Sequence, residues 1–487
     1  MISIAAHLGP GLRRGGVIIA ALATTLVLLA LLRPVDHDES QYVAAATFVA
    51  RGLIPYRDFA YLQTPLQPLL FAPVAALAGA WTWPALRIAN ALLGAAAILA
   101  VHRAAREAGA APRAATIAAA LFASTDILLF SIGTARNDAL PAAALSLALP
   151  AIVRTAQARA TRRDALLIGA LLAAAATAKI SYALPALTYG VWTLFARDRR
   201  PWWTLLGAAP FVLLTLALFA GAPLGFLFGV LSFPSAAPAE YYAQRPWKLS
   251  NAAKLVDTLK FLALGPALLA CVATARWRDR GSPVLDLLVI AGLVAALMPM
   301  PTWRQYLLPM LPALFVRLAL VWHLRPPGRT MRIASVIFAC AGLAPTIEAI
   351  ARRDLAMPDA LRASAAIRAQ LARDRVTGPV VTLSPQFVAD PDPRFATGPF
   401  CFRSTTLLGP EEERVVGVVS RARIAAMARP PAILTGGEGA WSSGDDRLDA
   451  ALAAYATQDG YRARAVPGTR FTLYVAPATP VARHNRP

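Results

Sequence analysis

From Gly16 to Ile350 the chain is a succession of apolar runs separated by short tufts that carry arginine. A helix crossing a bilayer needs about 17 to 25 mainly apolar residues, whereas a helix on a soluble core needs only one apolar stripe. Runs apolar on every face, repeated this often, are spans. They are predicted near 16–32, 84–101, 114–131, 139–153, 164–178, 181–196, 203–220, 257–275, 283–299, 305–322 and 333–350, about eleven in all. Composition agrees: 57% of the 487 residues are hydrophobic and 15% charged, against about 25% charged in an ordinary soluble domain. A single soluble globule and a disordered chain are both excluded, and the fold class expected is an α-helical polytopic membrane protein.

Lys and Arg number 48 against 27 Asp and Glu, a net charge of +21. In a soluble chain that balance would suggest nucleic acid. Here the basic residues fall between spans, as in HRAAREAGAAPR, RTAQARATRR and ARWRDRG, which is what the positive-inside rule produces, so no nucleic-acid partner is expected. Arg13 and Arg14 precede the first run, which meets Arg33, Pro34 and Asp36 without a small-x-small cleavage site; it reads as an uncleaved span. The segment PLQPLLFAPVAALAGA at 65–80 decides the sidedness. If it crossed, the Arg tufts after Val101, Val153, Ala196, Ala275 and Trp322 would lie opposite Arg13 and Arg14. Pro65, Pro68 and Pro73 suit a broken, peripheral helix instead. All the tufts then share the cytoplasmic side, and DHDESQY, Arg136 to Asp138, Lys179, the Phe233–Lys254 loop and PTWRQY emerge together on the other face.

After Ile350 no further span follows. ARRDLAMPDALRASAAIRAQLARDR reads as a polar helix, VTGPVVTLS, PPAILTGG and FTLYVAP as short strands, and DDRLDAALAAYA as a helix. Residues 1–350 are therefore expected to form a membrane domain, with an external loop at 33–83, and 351–487 a small α/β domain outside the cytoplasm. Cys271, Cys340 and Cys401 suggest neither a disulfide framework nor a CxxC metal site.

Asp36, Asp38 and Glu39 crowd together directly after the first span, and SQYVAAATFVARG continues as a short amphipathic helix with Tyr42, Ala45, Ala46 and Val49 on one face. Structurally, Asp38 and Gln41 have the spacing of a capping box, with Gly52 closing the helix; chemically, a carboxylate fixed at a helix start is well placed to accept a proton. RGLIPYRDFAYLQTPLQP follows, with Arg57 and Asp58 in it and Tyr56, Phe59 and Tyr61 as a possible interfacial belt. Asp138 lies at a span end, with Arg136 near enough to pair. Ionisable groups there are costly unless paired or facing a wet cavity. Lys179 interrupts a long apolar stretch and either snorkels or, with Arg245, Lys248 and Arg304, supplies positive charge suited to a phosphate. No P-loop, GxGxxG after a strand, HExxH or nucleophile elbow is present, so nucleotide chemistry has no visible home.

DESQYVAAATFVARGLIPYRDFAYLQTPLQP resembles the first external loop of the C-type-fold membrane glycosyltransferases that use polyprenyl-phosphate sugars, a superfamily that includes protein O-mannosyltransferases and lipid A aminoarabinose transferases. Asp138, TAKISYALP and RQYLLPMLPAL are similar to its second acidic position, its lysine turn and its late span, in the same order across the membrane region. TAKI departs from the Thr-Lys-Gly of many relatives, and 233–256 aligns only loosely. The resemblance implies a C-type fold of about eleven spans. It implies transfer of a sugar from a polyprenyl-phosphate carrier to a glycan, lipid or protein hydroxyl, with inversion, at the periplasmic face of a bacterial inner membrane. Asp38 would be the general base, with Glu39 and Asp138 beside it. Tyr42, Arg57, Asp58, Arg136, Lys179, Arg245, Lys248, Arg304 and Tyr306 would bind substrate. No cofactor is required, and a divalent metal is left open. The rival expectations are a lipid-linked glycan flippase and an oligosaccharide ligase using a pyrophosphate-linked donor.

Overall fold

A computed structural model describes residues 10–275, 283–352, 356–397, 410–418, 421–436 and 446–477. The chain runs through α1 (Pro10–Leu32), α2 (Glu39–Ala50), α3 (Leu66–Ala78), α4 (Thr82–Glu107), α5 (Pro112–Ala123), α6 (Asp126–Ile132), α7 (Ala139–Ala156), α8 (Arg162–Ala178), α9 (Ala183–Leu194) and α10 (Pro201–Gly221). It continues through α11 (Pro223–Leu227), α12 (Phe233–Tyr241), α13 (Asn251–Ala263), α14 (Ala267–Ala275), α15 (Pro283–Leu297), α16 (Leu311–Leu324) and α17 (Arg329–Arg352). Helix lies under each expected span. Among the described residues, however, six helical stretches are long and apolar enough to cross a bilayer, or up to eight if each bent pair is one span. Two of the expected spans are broken where periodicity does not register it, α5 and α6 meeting at 64° and α13 and α14 at 98°, and three more are helices shorter than 18 residues, α8 with 17, α9 with 12 and α15 with 15. At the first break Thr125 leaves the helix and caps α6, its hydroxyl accepting from Leu128 N at 3.4 Å.

Small residues set the packing. A Cβ on Gly169 of α8 would lie 1.9 Å from the Thr204 carbonyl of α10, and one on Gly207 would lie 2.0 Å from that of Leu166. These two helices cross backbone to backbone, the mode that membrane helices use where lipid supplies no hydrophobic drive between them.

In the tail, α18 (Met357–Arg373) precedes a sheet of β1 (Val380–Thr382), β2 (Ala432–Gly436), β3 (Arg462–Ala465) and β4 (Phe471–Val475), ordered β1-β2-β4-β3. β1 and β2 are parallel and the remaining pairs antiparallel. One face packs with α18 and Trp83, the other on the helix Asp446–Gln458. β3, Arg-Ala-Arg-Ala, escaped expectation because all four residues are exposed and none is of the β-branched or aromatic kind that marks a strand. Cys271 and Cys340 are free thiols, and Cys401 lies outside the described residues.

The tail sits on α2. Phe387 meets Trp83 edge-on with ring centroids 5.4 Å apart, and Arg51 pairs with Asp390 at 2.6 Å. With α3 on another side, nine of the twelve residues of α2 are buried, and the expected amphipathic face does not exist. Tyr56, Phe59 and Tyr61 are buried with Phe48 rather than spread as a belt.

Candidate active site

Helix α1 ends with carbonyls that lack helical partners, and Arg87, one turn into α4, supplies them. Its Nη1 donates to Ala30 O at 2.7 Å and Arg33 O at 2.8 Å, and its Nη2 to Pro34 O at 3.0 Å. Nε and Nη2 complete the set on the two oxygens of Glu39, and Trp83 Nε1 donates to the same carboxylate. Arg87 and Glu39 are wholly buried, and the guanidinium has all five of its donors engaged. Asp36 N donates to Glu39 Oε1 at 3.0 Å, and Asp38 N to Asp36 Oδ1 at 2.9 Å. Glu39, expected beside the base as a catalytic group, is instead the pin that joins α1, α4 and the start of α2. Its oxygens are spent.

Asp38 precedes α2 without capping it: its side chain makes no cap hydrogen bond, and Gln41 Oε1 is buried without a partner, so the capping box does not form. Gly52 does close the helix, at φ +86°. The Asp38 carboxylate turns instead to Arg136, whose Nη1 donates to Oδ2, and to His37, whose Nε2 lies 3.0 Å from Oδ1. Arg136 also reaches Asp36 at 3.2 Å and Asp138 at 3.3 Å. Asp138, fully buried at the start of α7, accepts from Lys179 Nζ, which follows the last turn of α8. Lys179 therefore faces inward rather than snorkelling, and stands 5.6 Å from the Tyr306 ring centroid. Tyr42 lies against the same charges, buried beside Arg136 and Asp38. Asn137 Nδ2 bridges Gln63 Oε1 and Ala178 O, tying the loop after α2 to the lysine turn.

A second tier backs this cluster. Arg304 pairs with Asp126 at 2.9 Å and stacks 3.6 Å from the Phe130 ring centroid, which Arg33 and Arg136 approach at 5.1 and 5.4 Å. Arg304 is thus one aromatic ring away from Arg136. Arg57 and Asp58 pair with each other in an exposed turn, Lys248 pairs with Asp257 at 3.2 Å, and Arg245 is exposed; none of the four joins the cluster. Sequence reasoning missed Arg87, Asp126, Phe130 and His37. The first two had a signal, since a charge inside an apolar run is costly enough to require a reason.

Burial alone would raise the Asp38 carboxyl; Arg136 first and then His37 outweigh it and hold it well below the usual carboxylate range. Burial would lower His37, and the Asp38 carboxylate overcomes that, raising it above 6.5. Asp36, His37 and Asp38 offer ligand atoms within 4.8 Å of one another, the spacing a cation needs. Arg136 already occupies both carboxylates, and the arrangement is that of a charge-paired cluster. What it can do chemically is accept a proton at Asp38 and meet an anion with Arg136, Lys179 and Arg304.

No protein-family model and no curated protein matches the sequence. Solved structures do. The chain superposes on ArnT from Cupriavidus metallidurans in the apo state with a TM-score of 0.61 at 16% identity, over 95% of this chain and 98% of that one. For ArnT from the same organism bound to undecaprenyl phosphate, the TM-score is 0.54 at 17% identity over the same shares. At this identity the likeness establishes architecture, and the chain has the fold of ArnT, as its sequence resemblance implied.

Proposed function

We propose that the protein is a membrane glycosyltransferase that moves a sugar from a polyprenyl-phosphate carrier to an acceptor hydroxyl, at the periplasmic face of a bacterial inner membrane. The observation that carries this reading is the convergence of Asp38, Arg136, Asp138 and Lys179 from three separate interhelical turns into one buried acid and base cluster. All three of those turns bear motifs of the sequence resemblance. A protein of the same fold is solved with undecaprenyl phosphate bound, which supports a polyprenyl phosphate as the lipid.

In the reaction, Asp38 takes the proton of the acceptor hydroxyl as the acceptor oxygen bonds to the anomeric carbon. The bond from that carbon to the phosphate oxygen breaks on the opposite side, so the centre inverts, and polyprenyl phosphate leaves with the electron pair. Fixed cations aimed at charge that develops in the transition state stabilise it without reorganisation. Arg136, Lys179 and Arg304 have that role. Asp138 holds Lys179 and Arg136 in place.

The test is transfer by the purified protein in nanodiscs from a panel of radiolabelled polyprenyl-phosphate sugars, with Asp38→Asn as control. Transfer or slow donor hydrolysis that disappears in the variant supports the reading; activity near wild type in folded Asp38→Asn would sink the assignment of the base.

A further inference from the structure

The carboxylate assigned as the base is not free to act. Arg136 Nη1 holds its Oδ2, and His37 Nε2 stands at 3.0 Å from its Oδ1. Arg136 is a hub that also binds Asp36 at 3.2 Å and Asp138 at 3.3 Å, through Nη1 and Nε. Its Nη2 makes none of these bonds and leaves one edge of the guanidinium for a further anion.

With His37 neutral, Asp36, Asp38 and Asp138 face Arg136 and Lys179, an excess of one negative charge. A donor phosphate brings another. In a buried site that charge needs a cation, and both cations of the cluster, Arg136 and Lys179, are committed to carboxylates. Lys179 is a poor candidate to give one up, because Asp138 is wholly buried and would lose its nearest positive charge. Asp36 and Asp38, with side chains 21% and 19% exposed, reach water and tolerate separation from Arg136. A guanidinium can also hold a phosphate by two parallel hydrogen bonds, which an ammonium cannot.

We propose that the donor phosphate and Asp38 compete for Arg136, so that arrival of the donor draws the guanidinium off the carboxylate and releases the base. This inference rests on the glycosyltransferase reading and adds to it an order of events. Donor binds first, the base is freed second, and the acceptor hydroxyl is deprotonated third. Arg136 acts here as a latch that keeps Asp38 neutralised until the reacting sugar is in place, and then as part of the phosphate site. No bond is made or broken in the exchange; one ion pair replaces another.

The test uses the full-length protein in nanodiscs and a short-chain polyprenyl phosphate lacking a sugar, with binding measured at equilibrium, so that catalysis is not the readout. Asp38→Asn removes the competitor and should tighten binding about tenfold, equivalent to about 1.4 kcal/mol. Asp36→Asn removes the same charge from the same nitrogen but leaves the latch closed, and should gain less than about a third of that. In an Arg136→Gln background binding is weaker, and the gain from Asp38→Asn disappears. Equal gains for Asp36→Asn and Asp38→Asn, or a gain that survives loss of Arg136, would mean simple charge repulsion and would overturn the latch. The Asp36 control decides the matter even where Arg136→Gln does not fold. Absence of binding in every folded variant, wild type included, overturns the donor reading itself and the latch with it, an outcome distinct from equal gains.

Discussion

Helices α4, α7 and α8 carry charged clusters at both ends, built on the same plan. At one end Asp138 precedes α7 and pairs with Lys179 after α8; at the other, Arg154 in the last turn of α7 pairs with Asp164 in the first turn of α8 and with Glu107, which ends α4. At α7 and α8 both obey helix-end electrostatics, with acids at N-termini and bases at C-termini; Glu107, an acid at the C-terminus of α4, departs from it and is met by Arg154. The two clusters differ in burial and in surplus. The Asp138 and Lys179 side chains are 0% and 7% exposed, those of Arg154 and Asp164 21% and 12%. The Arg154 cluster is also locally complete: Thr161 and Asp164 form a true capping box, and Arg159 adds an exposed contact to Glu107. The Asp138 cluster gathers three carboxylates on one arginine. Two helix pairs with the same charges thus mean different things, and the sign of a site lies in partners that exceed what capping requires.

Substitution at the two ends should separate them most sharply in catalysis. A general base is typically worth about 10² to 10⁴ in rate, so Asp38→Asn should cost transfer about that much, while Arg154→Gln should leave it within about twofold. Initial rates with one donor at saturation decide. A large loss in Arg154→Gln would erase the distinction drawn between the ends.

Stability gives the next largest contrast. Arg87→Met leaves Glu39 buried without its charge partner and three carbonyls uncapped, and breaking a buried pair from one side costs about 3 to 5 kcal/mol. Arg154→Gln, in a partly solvated cluster, should cost under about 1 kcal/mol. Unfolding of the two variants in nanodiscs, followed by intrinsic tryptophan fluorescence, would compare them. Similar losses would show that burial is not what distinguishes the clusters. A double change of Glu39 and Arg87 to apolar residues should recover part of the loss, since replacing both partners removes the stranded charge.

Much of this was legible from residues. Apolar runs located helix under every expected span, and the choice to keep 65–80 peripheral brought Asp38, Asp138, Lys179 and Arg304 to one end, where the structure joins them directly or through Phe130. The breaks at Thr125 and Leu264 were not legible, because a bent pair of apolar helices has the hydropathy of one straight helix. Nor was the burial of α2: its polar face, Ser40, Gln41 and Thr47, suits water, and only the packing of α3 and the tail around it shows otherwise. Glu39 was misassigned for a related reason. Adjacent acids look alike in sequence, and what separates Asp38 from Glu39 is Arg87, forty-eight positions after Glu39, turning to one and not the other.

The smallest expected effect concerns His37, whose raised pKa comes from the Asp38 carboxylate acting against burial. A group raised in the folded state contributes stability that is fully present below its ordinary value, 6.5, and is lost as pH rises through the folded value. Protonated His37 also cancels the single excess negative charge of the cluster. Binding of an anion should therefore weaken as pH climbs above 6.5. The probe has to be a polyprenyl phosphodiester, which keeps one charge throughout, because a monoester would titrate in the same window. The imidazole is half exposed, so solvent screens it and the change across the transition should be about two- to fivefold. His37→Gln should bind with the affinity of the high-pH wild type and show no such dependence, while Arg154→Gln keeps the full wild-type profile. A profile unchanged in His37→Gln would assign the titration to another group and leave Arg136 as the sole control on Asp38.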